Sequence, residues 1–315
     1  MAGLLPRHFL PSRLPSRSAY YAYRAGAELA RVVPEPVALP FTRAASAVAP
    51  ALLAQRRRQV ERNLRRIHGP GFGGRELHQA VAATFDSYGR YFYELFMLPT
   101  RSRGWIDEHF HCNGIEHIRD AVAQGNGAVV ALPHLGNWDF AGAWLAGQGF
   151  AVTVVAEPVE PPELFEWFVG TRAQLGMRVI PLSPTAGAEV LRALHDGEVV
   201  CLLCDRDLTG DGAEVEFFGE RTTLPVGPAM AALRAGSPII PVGCYFRPGG
   251  RQEAFVEPPL EARRTVVDGA KAPLRDDIAR ITQALAGRFE ALIRAEPTHW
   301  HLLQPNWPSD RAADD

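Results

Sequence analysis

The sequence predicts an α/β fold, with a central, mostly parallel β-sheet covered by helices on both faces and a helical region before it. Two observations predict this. From about residue 107 onward, short β-rich runs alternate with helical patterns, which is typical of a parallel sheet buried on both faces. Before residue 105, helical patterns are interrupted by prolines. We therefore expect a helical, membrane-facing region over 1–105, an α/β core over 106–308 that is continuous with it, and a disordered tail over 309–315.

Each predicted strand is a short apolar or alternating run bounded by turn residues. The predicted strands are 107–112, 127–132, 151–156, 178–182, 199–204, 214–218, 238–246 and 253–257. The predicted helices of the core are 115–124, 138–147, 162–175, 186–196, 226–236 and 274–295. The N-terminal region adds helices over Ala44 to Ile67 and Arg75 to Leu98, and Pro99 ends the second because proline cannot continue a helix.

The composition of the chain excludes several classes of function. Of its 315 residues, 47% are hydrophobic and 22% are charged, which is the ordinary range of a globular protein. The formal net charge of -2 gives no overall attraction to nucleic acid, so we expect no nucleic-acid partner. The first 18 residues lack the apolar core of a signal peptide, and no uncharged run reaches the roughly 20 residues of a membrane span. We therefore expect a cytoplasmic protein whose membrane contact is peripheral.

The cysteines and histidines do not form a recognisable metal site. Cys201 and Cys204 make up a single C-x-x-C within the apolar run 199–204, where strand alternation points them to opposite faces. The histidines of 109–117 and 299–301 lack a carboxylate or cysteine at metal-ligand spacing. We expect neither a metal nor a cofactor.

One strand-to-helix turn is the best candidate for chemistry. The segment GAVVALPHLGNWDFAGAW (127–144) predicts a buried strand, then His134, a turn through Gly136 and Asn137, and a helix that Asn137 caps. Binding and catalytic residues of such sheets gather where strands end and helices begin. A histidine there can act as a base, and backbone N–H groups at the helix start can stabilise negative charge. Acyl transfer to a hydroxyl needs both.

Two carboxylates are candidates to orient His134. The spacing between His134 and Asp139 is weak evidence for a pair, because a histidine followed five residues later by an acid arises by chance. His111 and Glu116 have the same spacing but lack the Gly-Asn-Trp turn. Asp139 lies in the first turn of the following helix, where it can instead cap that helix or pair with an arginine. Asp205 ends a buried strand beside the presumed strand of His134. A carboxylate bound to an imidazole selects its tautomer and stabilises the imidazolium. We prefer Asp205 for this role and keep Asp139 as the alternative.

Five segments in a fixed order carry a family resemblance. They are RRRQVERNLRRI (56–67), PHLGNWD (133–139), LLCDRDLTGDGAEVEFFGE (202–220), LPVGPAM (224–230) and WHLLQPNW (300–307). Over nearly the whole chain they resemble the superfamily of lipid A late acyltransferases, and more closely its phosphatidylinositol mannoside acyltransferases. The resemblance implies a sheet-centred fold with an apolar groove for an acyl chain, attached to the inner face of the plasma membrane. It also implies acyl-CoA as co-substrate and a mannose hydroxyl of the glycolipid as acceptor.

The resemblance also assigns roles by position. It makes His134 the general base and Asp205 its acidic partner, and it places three further polar side chains near the site. With the two turn residues, the predicted substrate-binding set is Glu157, Arg172, Arg206, Asn137 and Gly136. One departure concerns the acidic partner, because the mannoside family carries Glu where this chain has Asp205. The shorter side chain puts its direct reach to His134 in question.

The helix over 56–67 is predicted to contact the membrane. Its basic residues are Arg56, Arg57, Arg58, Arg62, Arg65 and Arg66. A lipid acceptor requires an interface, and each arginine near an anionic surface contributes about 1 kcal/mol. The alternative is a surface helix whose arginines are simply solvated.

Other functions stay open. The chain has no G-x-S-x-G motif and no serine near His134, so a nucleophile elbow is not expected. Direct attack by the acceptor hydroxyl, without an acyl-enzyme, is therefore expected. The alternatives are a hydrolase on the same fold, an acyltransferase acting on a lysophospholipid or lipid A precursor, and a lipid-binding or transfer protein without catalysis. We expect a monomer.

Overall fold

The computed structural model of this chain describes residues 16–33 and 35–311. Its helices are α1 (Ser16–Val32), α2 (Glu35–Leu52), α3 (Ala54–His68), α4 (Gly74–Met97), α5 (Arg103–His109), α6 (Ile115–Ala123), α7 (Trp138–Gly147), α8 (Pro162–Gln174), α9 (Ala186–His195), α10 (Gly227–Ala235), α11 (Leu274–Ala295) and α12 (Pro308–Arg311). Its strands are β1 (Phe110–Asn113), β2 (Ala128–Leu132), β3 (Val152–Ala156), β4 (Met177–Pro181), β5 (Val199–Leu203), β6 (Ala213–Phe217), β7 (Glu220–Leu224), β8 (Ile239–Phe246), β9 (Gln252–Val256), β10 (Val266–Val267) and β11 (Ala270–Lys271).

The central sheet has the strand order β1-β9-β8-β2-β5-β3-β4 and is parallel except for the β8–β9 pair. Alternate side chains of β2 divide between two cores, because successive residues of a strand face opposite sides. Val130 and Leu132 pack on the side of α6 and α7, whereas Val129 and Ala131 pack on the side of α9, α10 and α11. The predicted fold class, a mostly parallel sheet covered on both faces and preceded by helices, is confirmed.

The pairing of β2 with β5 positions the candidate site. The two strands run in parallel, with Leu132 opposite Leu203 at their carboxyl ends. His134 and Asp205 each follow their strand by two residues. The register alone therefore brings these two side chains to the same point of the sheet edge.

The core differs from the prediction in two places. Residues 107–109 end α5 rather than begin a strand, because the Oγ of Ser102 accepts the backbone N–H of Trp105 (3.1 Å) and caps that helix. Between the predicted strand 214–218 and the predicted helix 226–236 lies a further strand, β7, that was not predicted. It pairs antiparallel with β6 in a hairpin that lies outside the central sheet.

The helix predicted over Ala44 to Ile67 is broken in two. Helix α2 ends at Leu52 and α3 begins at Ala54, and Leu53 between them has the non-helical angles φ −111° and ψ 57°. Pro50 weakens the end of α2 because its ring nitrogen cannot donate to the helical ladder. Among the described residues, no single helix combines the length and apolar composition of a membrane span. The pair Val37–Leu52 and Ala54–His68, bent by 93°, meets that test only when its two helices are counted together.

The predicted disorder of the tail is wrong for residues 309–311. These residues lie in α12, and the carboxylate of Asp310 is fully buried. It accepts hydrogen bonds from Arg66 (2.7 Å), Gln59 (2.8 Å) and the backbone N–H of Asn306 (3.0 Å). Residues 312–315 lie outside the described ranges, as does most of the stretch predicted to lack a signal peptide.

Two of the six arginines of 56–67 make contacts within the protein. Arg66 stacks on the indole ring of Trp307, 4.1 Å from its centroid, besides its ion pair with Asp310. Arg62 donates to the backbone carbonyl of Asp310 (3.0 Å). These two side chains fix the segment around α12 to α3, and the membrane contact of this helix stays a prediction. Arg57, Arg58 and Arg65 are exposed.

Candidate active site

The imidazole of His134 is hydrogen-bonded to the carboxylate of Asp205. The distance from Nδ1 to Oδ1 is 2.6 Å, and the backbone N–H of His134 donates to the other oxygen, Oδ2, at 3.1 Å. Asp205 therefore reaches His134 directly in spite of its shorter side chain. It is the carboxylate of Asp205, rather than that of Asp139, that contacts this histidine.

This contact selects one tautomer of His134. An ionised carboxylate only accepts hydrogen bonds, so Nδ1 carries the proton and Nε2 remains as an acceptor. Burial would raise the pKa of Asp205, but the neighbouring imidazole and the hydrogen bonds to the carboxylate outweigh it and lower that pKa below its usual value. The side chain of His134 is 25% exposed and lines the main cavity, which leaves it accessible to a substrate.

The turn after His134 depends on Gly136 and Asn137. Gly136 has a φ of +64°, and a Cβ there would lie 2.3 Å from the carbonyl oxygen of Cys244, so only glycine fits. The Oδ1 of Asn137 accepts the N–H of Phe140 (3.0 Å), which is the predicted N-cap of α7. The Nδ2 of Asn137 donates to Glu94 on α4 (2.8 Å). Neither residue is among those that line the cavity, and both shape the turn that presents His134.

Asp139 takes part in a different buried cluster. Its carboxylate is 2% exposed and binds the guanidinium of Arg172 through both oxygens, at 2.7 and 3.0 Å. The hydroxyl of Tyr91 also donates to it (2.8 Å). Burial, followed by the charge of Asp139, raises the pKa of Tyr91 well above its usual value, so this phenol stays protonated. The cluster ties α4, α7 and α8 together at the wall of the cavity.

Glu157 and Arg206 form a second ion pair beside the site, with 2.9 Å between Oε2 and Nη2. Glu157 follows β3 directly, and Arg206 follows Asp205 in the chain. Both side chains line the same cavity as His134, Asp139 and Arg172. The predicted polar residues therefore converge at the carboxyl edge of β2, β5 and β3. Among the described residues, no group of three or more His, Cys, Asp or Glu side chains is placed to share a metal ion.

A cavity of about 520 Å³ opens at His134 and extends along both faces of the sheet. On one face its walls come from the strands β1, β9, β8, β2, β5 and β3 and from helices α6 and α7. On the other face they come from β3, β5, α9 and α10. The first arm runs from Leu132 near His134 to Cys112 on the edge strand β1, a span of three strand spacings or about 14 Å. Its apolar lining suits a hydrocarbon chain.

Sequence reasoning missed two functional neighbours of the histidine. The indole N–H of Trp300 donates to Oδ2 of Asp205 (2.7 Å), and His301 lines the cavity with its Nε2 2.8 Å from the Oγ of Ser87. Burial, with the nearby His299 and His134, lowers the pKa of His301 well below its usual value and keeps it neutral. Both residues belong to the WHLLQPNW segment, whose place in the family pattern was the only available signal.

The sequence of this chain is similar to those of known proteins. A family model described as bacterial lipid A biosynthesis acyltransferase matches residues 7–309. The chain is 39% identical over 295 residues to a phosphatidylinositol mannoside acyltransferase of Mycolicibacterium smegmatis, which covers 91% of each protein. It is 43% identical over 236 residues to the protein of the same name from Mycobacterium tuberculosis, covering 73% of this chain and 71% of that one. A lipid A biosynthesis acyltransferase of Haemophilus influenzae is 24% identical over 237 residues, covering 73% of this chain and 69% of that protein.

Proposed function

This chain belongs to the bacterial lipid A biosynthesis acyltransferase family, and on that premise we propose that it transfers a fatty acyl group from acyl-CoA to a mannose hydroxyl of a phosphatidylinositol mannoside. The family membership supports acyl transfer. The mannoside acceptor is supported by the name shared by the relatives at 39% and 43% identity.

In the proposed reaction, Nε2 of His134 accepts the proton of the acceptor hydroxyl as its oxygen attacks the thioester carbonyl. Asp205 holds Nδ1–H and stabilises the imidazolium that forms. The carbon–sulfur bond then breaks, and the imidazolium returns its proton to the sulfur of CoA. The products are the ester and free CoA, and His134 ends neutral, ready for a second turnover.

The single observation that carries this proposal is the 2.6 Å contact between His134 and Asp205 at the opening of a long apolar cavity. A base beside a hydrocarbon channel suits a substrate that has a reactive carbonyl at one end of an acyl chain. We assign the acyl chain to the arm under α6 and α7. The N-terminus of α7, which begins four residues after His134, provides a positive dipole end for the tetrahedral oxyanion.

No acyl-enzyme is proposed. The residues that flank His134 and Asp205 in the chain are Pro133, Leu135, Cys204 and Arg206, and the thiol of Cys204 is the only nucleophile among these four. Burial raises the pKa of Cys204 well above its usual value, and a protonated thiol is a poor nucleophile. The acceptor hydroxyl therefore attacks the thioester itself, within a ternary complex.

The membrane contact of the proposed enzyme is assigned to α1, α2 and the exposed arginines of α3. Exposed large apolar side chains concentrate on the first two helices: Tyr21, Leu29, Val32, Val37, Phe41, Val48 and Leu52. An apolar patch of this kind beside arginines suits an interface with anionic lipid. The aromatic side chains Tyr23, Phe92 and Phe168, which line the cavity, lie on α1, α4 and α8. A lipid acceptor would therefore reach His134 from this side.

The test is an acyl-transfer assay with palmitoyl-CoA and a phosphatidylinositol mannoside. We expect CoA release that depends on the acceptor, and its loss in His134→Ala. His111→Ala is the matched control, because His111 has the same spacing to an acidic residue but is exposed and is not among the residues that line the cavity. Release of CoA without acceptor would indicate a thioesterase. Transfer to a lysophospholipid but not to the mannoside would show that the acceptor is a lysophospholipid. Full activity in His134→Ala would overturn the proposed base.

A further inference from the structure

The segment His299–His301 forms a short antiparallel pairing with the turn that carries His134. The backbone N–H of His301 donates to the carbonyl of His134 (2.7 Å), and the N–H of Gly136 donates to the carbonyl of His299 (2.9 Å). Leu135 and Trp300 are the bridged residues between them. The backbone of the histidine turn is thus held from the C-terminal side of the chain.

Trp300, in the middle of this pairing, also donates a hydrogen bond to Asp205. The indole N–H of Trp300 lies 2.7 Å from Oδ2 of Asp205, while Oδ1 binds His134. Trp300 is 3% exposed, with its ring packed against Phe217 and Phe218. Packing on several sides fixes the indole, so its N–H fixes which carboxylate oxygen faces the imidazole.

A second contact from the same segment holds the backbone of Asp205. The Nδ2 of Asn306 donates to the backbone carbonyl of Asp205 (3.2 Å). Asn306 is held in turn by the buried carboxylate of Asp310, which binds Arg66 on α3. The segment 299–311 is therefore anchored independently of the catalytic pair, as a positioning element must be.

We propose that Trp300 is a positioning residue for the reaction: its indole N–H holds the carboxylate of Asp205 in the orientation that binds His134. The inference rests on the proposed function, because it gives Trp300 a part in the action of the proposed base. Trp300 acts through Asp205 and has no assigned contact with substrate.

The effect has a signature that a packing role lacks. The ionised carboxylate of Asp205 stabilises the imidazolium of His134 only while one of its oxygens faces Nδ1. Without the Trp300 hydrogen bond the carboxylate is free to turn away, so His134 loses that stabilisation and the pair takes up its proton at lower pH. Among the described residues, His301 interacts electrostatically with His134 and Cys204 with Asp205, whereas the side chain of Arg206 pairs with Glu157. None of these is changed by a substitution at Trp300.

The test compares Trp300→Phe with Trp307→Phe. Both remove a buried indole N–H and keep an aromatic ring, but the N–H of Trp307 donates to the carbonyl of Phe217 (3.2 Å) rather than to Asp205. The first readout is the NMR titration of the His134 ring, assigned by its loss in His134→Gln, which requires no activity. We expect a lower titration midpoint in Trp300→Phe and the wild-type midpoint in Trp307→Phe.

The second readout is the acyl-transfer rate. In Trp300→Phe we expect kcat to fall by about tenfold or more with KM for acyl-CoA unchanged, since only the orientation of the base is affected. An unchanged or raised midpoint in folded Trp300→Phe would overturn the inference, as would equal effects of the two substitutions. Failure of the proposed function is recognised separately, because wild-type protein would then show no transfer while the NMR comparison still reports on the pair.

Discussion

Arg172 holds both carboxylate oxygens of Asp139, at 2.7 and 3.0 Å, in a pocket where Asp139 is 2% exposed. This acid lies five residues from His134 in the chain, yet it is committed to an arginine on another helix. The two candidate carboxylates therefore have separable roles, one in holding α7 to α8 and one in orienting the histidine.

Replacing Asp139 is expected to affect stability first. Asp139→Ala leaves the buried guanidinium of Arg172 without its partner, and breaking a buried pair in this way costs about 3–5 kcal/mol. Urea unfolding should show that loss in the free energy of unfolding. The double substitution Asp139→Ala/Arg172→Met should recover part of it, because no buried charge is then unpaired. A stable Asp139→Ala with lost turnover would contradict this division of roles.

Replacing Asp205 is expected to affect turnover. Asp205→Asn keeps the size of the side chain but removes its negative charge. The amide oxygen is expected to face the N–H groups of His134 and Trp300, which puts the amide NH2 against Nδ1 and reverses the tautomer, so kcat should fall by about 100-fold or more. Asp205→Glu keeps the carboxylate and should retain much more activity than Asp205→Asn. Steady-state kinetics on variants with matched circular dichroism spectra make the comparison. Equal losses in the two variants would show that charge at this position is not what matters.

The apolar arm under α6 and α7 is expected to limit the length of the acyl chain. Cys112→Phe adds an aromatic ring near the end of this arm on β1, so palmitoyl-CoA should lose at least about tenfold in kcat/KM relative to decanoyl-CoA. His111→Phe is the control, because the side chain of His111, which precedes Cys112 on β1, is exposed. An unchanged preference in Cys112→Phe would place the acyl chain elsewhere.

Binding to membranes is expected to depend on α1 and α2. Leu29, Phe41 and Leu52 are 65%, 73% and 77% exposed, so replacing all three by serine should preserve folding and weaken binding to anionic vesicles. Sedimentation with phosphatidylglycerol vesicles measures the change. The control replaces Val266 and Val267, each 59% exposed on the β10–β11 hairpin. If both variants bind like wild type, this surface is not the membrane contact.

Replacing the exposed arginines of α3 gives a second, electrostatic test of the same surface. With Arg57, Arg58 and Arg65 changed to glutamine, binding to anionic vesicles should weaken most at low salt. Neutral vesicles should bind wild type and variant alike. An equal loss on both kinds of vesicle would indicate damage to the fold.

The buried Asp310 is expected to make stability depend on acid pH. Burial raises its pKa, but the N–H groups of Asn306 and Trp307 and the guanidinium of Arg66 outweigh this and lower it below the usual value. Its contribution is therefore complete above the unfolded pKa of about 3.9 and is lost as the pH falls through the folded pKa. Asp310→Asn should lower the free energy of unfolding by about 2 kcal/mol at pH 7. The difference in free energy of unfolding between wild type and Asp310→Asn should become smaller below about pH 4. A difference that does not change with pH would show that ionisation of Asp310 does not contribute to stability.

Local sequence patterns correctly predicted the strand, the helix cap and the turn around His134, because each of these depends on residues close together in the chain. The run 128–132 and the Asn137 cap are encoded by their own residues, and so is the turn that requires Gly136. The contacts that complete the site are different in kind. Trp300 and Asp310 have no local feature that marks them, because their partners Asp205 and Arg66 lie far away in the chain. The buried Asp310, in a polar, charged tail, was for this reason predicted to be disordered.

The pairing of His299–His301 with the histidine turn has a consequence for folding. His134 and Asp205 are 71 positions apart in the chain, and Asp205 and Trp300 are 95 apart. Closing loops of this length costs entropy before the contacts they enable are made. We therefore expect the proposed catalytic pair to reach its final geometry late in folding, after the core has brought these distant segments together. A chain still being synthesised would carry His134 and Asp205 well before it carried the tryptophan proposed to orient them.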